Sequence, residues 1–123
     1  MTSTVVRGAV LTCLVTVLAV QTWLLYSPTP PMPPSDFSGS DLVAHVVLFG
    51  APTALLYWLW PRWWSVALMV AYAPGSELLQ RLVPNRSSDV ADAIADLLGV
   101  AIGVLAAWLV RRRTESQPVH SPA

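Results

Sequence analysis

The sequence predicts an all-α integral membrane protein, a four-helix bundle with both termini on the cytoplasmic side. Three observations carry this expectation. Of 123 residues, 54% are hydrophobic and only 11% are charged, which is too apolar for a soluble domain of this length. Four apolar runs each approach the ~20 residues needed to cross a ~30 Å hydrocarbon core; a chain in lipid must satisfy its own backbone, which makes each run a helix. The seven positive side chains are all arginine and divide by side. Arg7, Arg62 and the Arg111-Arg112-Arg113 triplet fall at one end of the runs, Arg81 and Arg86 at the other, so the positive-inside rule places both termini in the cytoplasm of a cell membrane.

The first span covers about residues 8–26. It is long for a signal-peptide core, and no convincing small-x-small cleavage site follows it, so a retained helix is expected. Cys13 lies inside this run and is the sole cysteine, which leaves it the role of a small apolar residue. A loop over residues 27–40 follows, with Pro28, Pro30, Pro31, Pro33 and Pro34 making its first half stiff and extended. The second span is placed at 42–60 and the third at 63–82, joined by the tight Pro61-Arg62 turn, with bends expected at Pro52 and at Pro74-Gly75. Trp58, Trp60, Trp63, Trp64 and Trp108 mark the cytoplasmic interface, Trp23 and Tyr26 the outer one. The fourth span is placed at 93–110, within a single membrane domain over 1–113, and 114–123 reads as a short, polar, disordered cytoplasmic tail. The all-arginine usage hints at a GC-rich bacterial genome.

Polar residues that a bilayer normally excludes recur near one end of three spans. Ionisable groups there are costly and mark a functional site by default. Counting 1.5 Å per residue from each cytoplasmic boundary puts His45 at roughly 22 Å and Glu77 and Asp96 at roughly 21 Å. Gln80 comes out near ~25 Å, with Asp41 and Asp92 near ~27–28 Å. Within each helix the spacing keeps these groups on one face: Asp41 and His45 are i,i+4, Glu77 and Gln80 are i,i+3, and Asp89, Asp92 and Asp96 form a stripe continued by Gly99 and Gly103. The Gly99-x-x-x-Gly103 pair admits another helix closely, which turns the carboxylates of span four toward the bundle.

Plainer roles compete for some of these residues. Ser87, Ser88 and Asp89 are candidate caps for helix four, and Asp92 suits its positive dipole end. Arg86 can pair with Asp89, and Arg81 can snorkel to outer headgroups. Glu77 and Asp96 lie deeper than a cap needs, so each requires a proton or a partner such as His45. His45, Glu77 and Asp96 make a mixed nitrogen and oxygen donor set, but no HExxH-like spacing accompanies them. No metal and no cofactor is therefore expected.

These residues resemble the VanZ-like family of small multi-pass membrane proteins, over residues 41–103. Asp41-Leu-Val-Ala-His45 is similar to the family's D-K-x-x-H, and Ser76-Glu77-Leu78-Leu79-Gln80 to its s-E-x-x-Q. Arg86-x-x-Asp89-x-x-Asp92-x-x-x-Asp96-x-x-Gly99-x-x-x-Gly103 is similar to R-x-x-D-x-x-D-x-x-x-N-x-x-G-x-x-x-G. Leu42 stands where the family usually has Lys, and Asp96 where it usually has Asn; the second departure adds a carboxylate deep in the cluster. The family's namesake is linked to resistance to the glycopeptide teicoplanin, so the resemblance implies a cell-envelope setting and a link to antibiotic tolerance.

The functional expectation is an outward-facing polar pocket formed by Asp41, His45, Glu77, Gln80, Arg86, Asp89, Asp92 and Asp96. It would bind an envelope lipid, a glycopeptide-like ligand or an ion, with Arg86 contacting an anionic head group. The alternatives are a membrane hydrolase or transferase acting on a lipid-linked substrate, which lacks an evident nucleophile with a matched base, and a proton- or ion-coupled transporter, whose ionisable groups stop at the outer third. Partners are the bilayer, such a ligand and a second copy in a homo-oligomer. Zero net charge gives no basic surface for nucleic acid.

Overall fold

The computed structural model describes residues 3–29, 39–86 and 89–116. Four helices occur in the order α1 (Ser3–Tyr26), α2 (Ser40–Leu59), α3 (Trp63–Gln80) and α4 (Val90–Glu115), with no strand among the described residues. The helix ends follow from local chemistry. α1 stops before Ser27-Pro28 and α2 before Trp60-Pro61, because the residue preceding a proline is pushed out of the helical region; Trp60 sits at φ −133° and ψ 83°. Arg62 is extended at φ −131°, ψ 154° and precedes α3. The Ser65 hydroxyl donates back to the Arg62 carbonyl at 2.7 Å. After α3 the chain turns through Asn85 at φ 61°, a left-handed position that asparagine tolerates better than most residues.

The expected boundaries shift at several ends. α4 begins at Val90 and continues through Glu115, which takes Thr114 and Glu115 out of the anticipated tail. α3 runs unbroken through Pro74-Gly75, and α2 through Pro52. The segment expected to be stiff, with Pro30, Pro31, Pro33 and Pro34, the candidate caps Ser87 and Ser88, and the rest of the expected tail lie outside the described residues.

The bundle is built inside out relative to a soluble protein. Leu11, Val15, Val43, Val47, Leu68, Leu78, Ile94, Leu98, Ile102 and Leu105 are exposed, whereas Gln21, His45, Thr53, Ser76, Glu77, Gln80, Asp92 and Asp96 are buried. Large exposed apolar surface marks a partner or a membrane, and polar residues buried within a bundle are how membrane helices hold their ionisable groups. α1, α2 and α4 are each long and apolar enough to cross, with mean hydropathy of 1.9, 1.8 and 2.3 over their apolar stretches. α3, with 18 residues that include Ser65, Ser76, Glu77 and Gln80, falls short of that measure.

Successive helices reverse direction. The Arg7 Nη2 group near the start of α1 donates to the Leu59 carbonyl at 3.4 Å, and Arg111 Nη1 near the end of α4 donates to the Trp58 carbonyl at 2.9 Å. Both described ends of the chain therefore meet the C-terminus of α2, where cations complement the helix dipole. Leu25, Phe49, Met69, Ala73 and Val100 join all four helices in a small apolar core.

α2 and α4 run parallel and form the most extensive contact in the bundle. Their backbones touch. A Cβ on Gly99 would fall on the Val46 carbonyl oxygen, one on Gly103 on the Gly50 carbonyl oxygen, and one on Gly50 would lie 3.2 Å from the Gly99 oxygen. Small residues permit such approach in membrane helices. Replacing Gly99 or Gly103 with alanine should cost about 1–3 kcal/mol, as overpacking does, seen as a lowered unfolding temperature in detergent. Gly75→Ala, where nothing lies within 4 Å, should be neutral or gain about 0.5–1 kcal/mol of helix stability.

Candidate functional site

The α2–α4 contact brings two i,i+4 pairs side by side, Asp41 and His45 on one helix and Asp92 and Asp96 on the other. His45 Nδ1 lies 2.7 Å from Asp96 Oδ1, both groups buried. Glu77 reaches the same place from α3, with Oε1 3.9 Å from His45 Nδ1. Each of His45, Glu77 and Asp96 offers one donor atom within 4.8 Å of the others, and Asp41, His45 and Asp92 form a second such group. His45 is thus the shared centre of four carboxylates drawn from three helices.

The hydrogen bonding around this centre is incomplete. Glu77 is 6% exposed and Asp96 fully buried, yet neither Glu77 oxygen nor Asp96 Oδ2 has a hydrogen-bond partner among the described residues. Buried polar groups are nearly always paired, so these oxygens form a concentrated acceptor surface beside His45. The cluster also has a gradient of access. Asp41 is exposed, Asp92 is 8% exposed and Asp96 is inaccessible; each upper carboxylate sits one helical turn, about 6 Å, nearer the end of the bundle.

Three of the expected pocket residues are placed differently. Arg86 does not enter the cluster: its Nε donates to the Ser27 carbonyl at 3.0 Å and its Nη2 to the Leu24 carbonyl. It thereby closes the C-terminus of α1, where a cation complements the negative end of the helix dipole. Asp89 is the N-cap of α4 and forms a capping box with Asp92, the Asp89 N–H donating to Asp92 Oδ2 at 3.3 Å. Asp92 is therefore both a cap and a neighbour of His45. Gln80 is buried and its Nε2 donates to the Leu25 carbonyl at 3.3 Å, while its Oε1 stays unpartnered.

Other polar residues in the bundle escaped the sequence reading. Tyr26, expected at the membrane interface, turns inward: its hydroxyl lies 3.1 Å from the Tyr72 hydroxyl and donates to Ser76 Oγ at 3.1 Å. This chain of hydroxyls ends on the residue before Glu77. Gln21 is fully buried in α1, and neither its amide nitrogen nor its amide oxygen has a hydrogen-bond partner among the described residues. An isolated glutamine in an apolar span was the available signal. Gly50 supplies the α2 side of the helix contact, and only the facing glycines of α4 reveal its role.

Comparison with known proteins gives a family. A family profile described as VanZ/LLP1 matches residues 8–111. The chain is 27% identical over 115 residues to an uncharacterized protein of Schizosaccharomyces pombe, covering 88% of this chain and 68% of that protein. No solved structure matches.

The His45–Asp96 pair makes a stability prediction. His45→Ala leaves Asp96 buried without its partner and should cost about 3–5 kcal/mol, the range for breaking a buried pair from one side. The double replacement His45→Leu, Asp96→Leu removes both charges and should recover most of that loss. Unfolding of the three proteins in detergent micelles compares them; equal destabilisation by the single and double changes would contradict the pairing.

Proposed function

The chain belongs to the VanZ/LLP1 family, and from that premise we propose that it is a multi-pass membrane protein that binds a ligand of the cell envelope in an outward-facing polar cluster. In this reading α3 crosses with the other helices: its start adjoins the end of α2, and Gln80 near its end bonds Leu25 near the end of α1. Five arginines lie at the end that holds Arg7 and Arg111 and two at the other, so positive-inside orients both termini to the cytoplasm. The polar cluster then faces outward.

One observation carries the binding reading: His45 is held among Asp41, Glu77, Asp92 and Asp96 while the Glu77 carboxylate has no hydrogen-bond partner. Such a surface suits a ligand that brings positive charge or hydrogen-bond donors. An anionic head group fits less well than the sequence suggested, because Arg86 is engaged by α1. The similarity to a yeast protein favours a ligand chemistry common to membranes in general. A link to antibiotic tolerance rests on the family's namesake alone.

A catalytic reading has one observation in its favour. A histidine bonded through Nδ1 to a carboxylate is the arrangement of an oriented general base, and Glu77 stands beside it for a second proton-transfer role on a lipid-linked substrate. Transport is weaker. Toward the other end, Thr53 and Ser65 bond backward to the carbonyls of Phe49 and Arg62, and the glycine contact leaves no space between α2 and α4.

In intact cells carrying Cys13→Ser, an Asp41→Cys variant should react with a membrane-impermeant maleimide from outside. Labelling only after the membrane is opened would reverse the topology. Glu77→Gln should insert at normal levels yet fail to rescue the envelope phenotype of a deletion strain; full complementation by both Glu77→Gln and His45→Ala would end the binding reading.

A further inference from the structure

We propose that His45, Glu77 and Asp96 bind one divalent transition-metal ion of the zinc class, admitted past Asp41 and Asp92. The proposal rests on the polar-cluster reading above and gives its ligand a chemical identity.

The donor set comes first. One imidazole and two carboxylates suit zinc, manganese or iron, whereas calcium and magnesium prefer oxygen donors alone. Three protein ligands also leave a coordination position open for water or substrate. Geometry comes second. At bond lengths of 2.0–2.2 Å, ligand atoms around a tetrahedral ion lie about 3.3–3.6 Å apart. His45 Nδ1 and Glu77 Oε1 stand at 3.9 Å, and all three groups offer atoms within 4.8 Å of one another. The 2.7 Å His45–Asp96 contact is the proton-bridged form of the same site. A metal displaces that proton to solvent, as binding to deprotonated ligands requires, and the two atoms then separate by less than an ångström.

The independent observation is what the carboxylates lack. Both Glu77 oxygens and Asp96 Oδ2 are buried and have no hydrogen-bond partner, although Glu77 is more than nine-tenths buried and Asp96 completely so. They stand beside His45 from two different helices. A divalent cation between them supplies the positive charge that, among the described residues beside these oxygens, only His45 offers, and only when protonated. Above this site, Asp41, His45 and Asp92 form an overlapping acidic group, more exposed at Asp41 and suited to collecting a cation at the mouth.

The full-length protein, stripped with chelator in detergent, would be titrated with Zn(II) against a fluorescent zinc indicator, and with Co(II) for its visible absorption. Wild type should take up one equivalent of Zn(II), and its Co(II) form should show the absorption bands of a low-coordinate nitrogen–oxygen site. Glu77→Gln and the isosteric Asp96→Asn should each weaken binding by about 100-fold, and Asp41→Asn by about 10-fold, the two ends of the range seen when metal sites lose supporting groups. His120→Ala, which removes the chain's other histidine, should change nothing. Absence of saturable binding overturns the proposal, as does binding unaffected by Glu77→Gln and Asp96→Asn or abolished by His120→Ala. The two readings fail separately. Outward labelling of Asp41→Cys without metal uptake keeps the pocket and removes the metal. Metal uptake lost in Glu77→Gln, with labelling only from the cytoplasm, keeps the metal site and removes the outward pocket.

Discussion

Backbone contact between α2 and α4 is the constraint on which the rest of the structure depends. Gly99 leaves no room for a side chain against Val46, and Gly103 leaves none against Gly50. Because the two helices run parallel, this contact fixes their register as well as their separation. Val46 is next to His45, and Asp96 precedes Gly99 by less than one turn, so the register that seats the glycines also sets His45 Nδ1 2.7 Å from Asp96 Oδ1. Asp41 and Asp92 follow one turn higher for the same reason. Lipid gives helices little hydrophobic reason to associate, so close packing and the buried polar pair hold these two helices together jointly.

Polar chemistry fastens the remaining helices around this pair. Arg7 and Arg111 reach the carbonyls that end α2, and Arg86 reaches those that end α1. Each places a delocalised cation on the negative end of a helix dipole and answers carbonyls that have no partner within their own helix. α3 is attached through Gln80 to Leu25 and through the Tyr26, Tyr72 and Ser76 hydroxyls. Glu77 is thereby carried to His45 on the one helix that falls short of the length and hydropathy expected of a span.

Much of this was legible in the sequence, and what was not has a physical cause. Hydropathy exposes apolar runs directly, so four helices and their order could be read. Counting residues from the aromatic and arginine boundaries put His45, Glu77 and Asp96 at one level, and the fold brings those three together. The Gly99-x-x-x-Gly103 spacing pointed to a close helix, although Gly50, a lone glycine without a repeat, could not be matched to it. Side-chain destinations were less readable. Arg86 has the same spacing to Asp89 whether it bonds that carboxylate or the end of α1, and the choice depends on how α1 packs. Tyr26 looks like an interface residue because an aromatic near a span end usually is one; its inward turn follows from Tyr72 and Ser76, which are distant in sequence. Helix ends moved by a few residues where a capping box or a run of arginines extends a helix beyond its apolar part, as at Val90 and Glu115.

The claim at the centre is that His45 is locked against Asp96 inside the bundle. Proton NMR of the chelator-stripped protein labelled with ¹⁵N-histidine tests it most directly, since the chain holds only His45 and His120 and a His120→Ala variant assigns the signals. The account predicts a deshielded Nδ1 proton on His45 that exchanges slowly with water and disappears in Asp96→Leu. A His45 ring whose protons exchange rapidly, or whose signal is unchanged by Asp96→Leu, would contradict it.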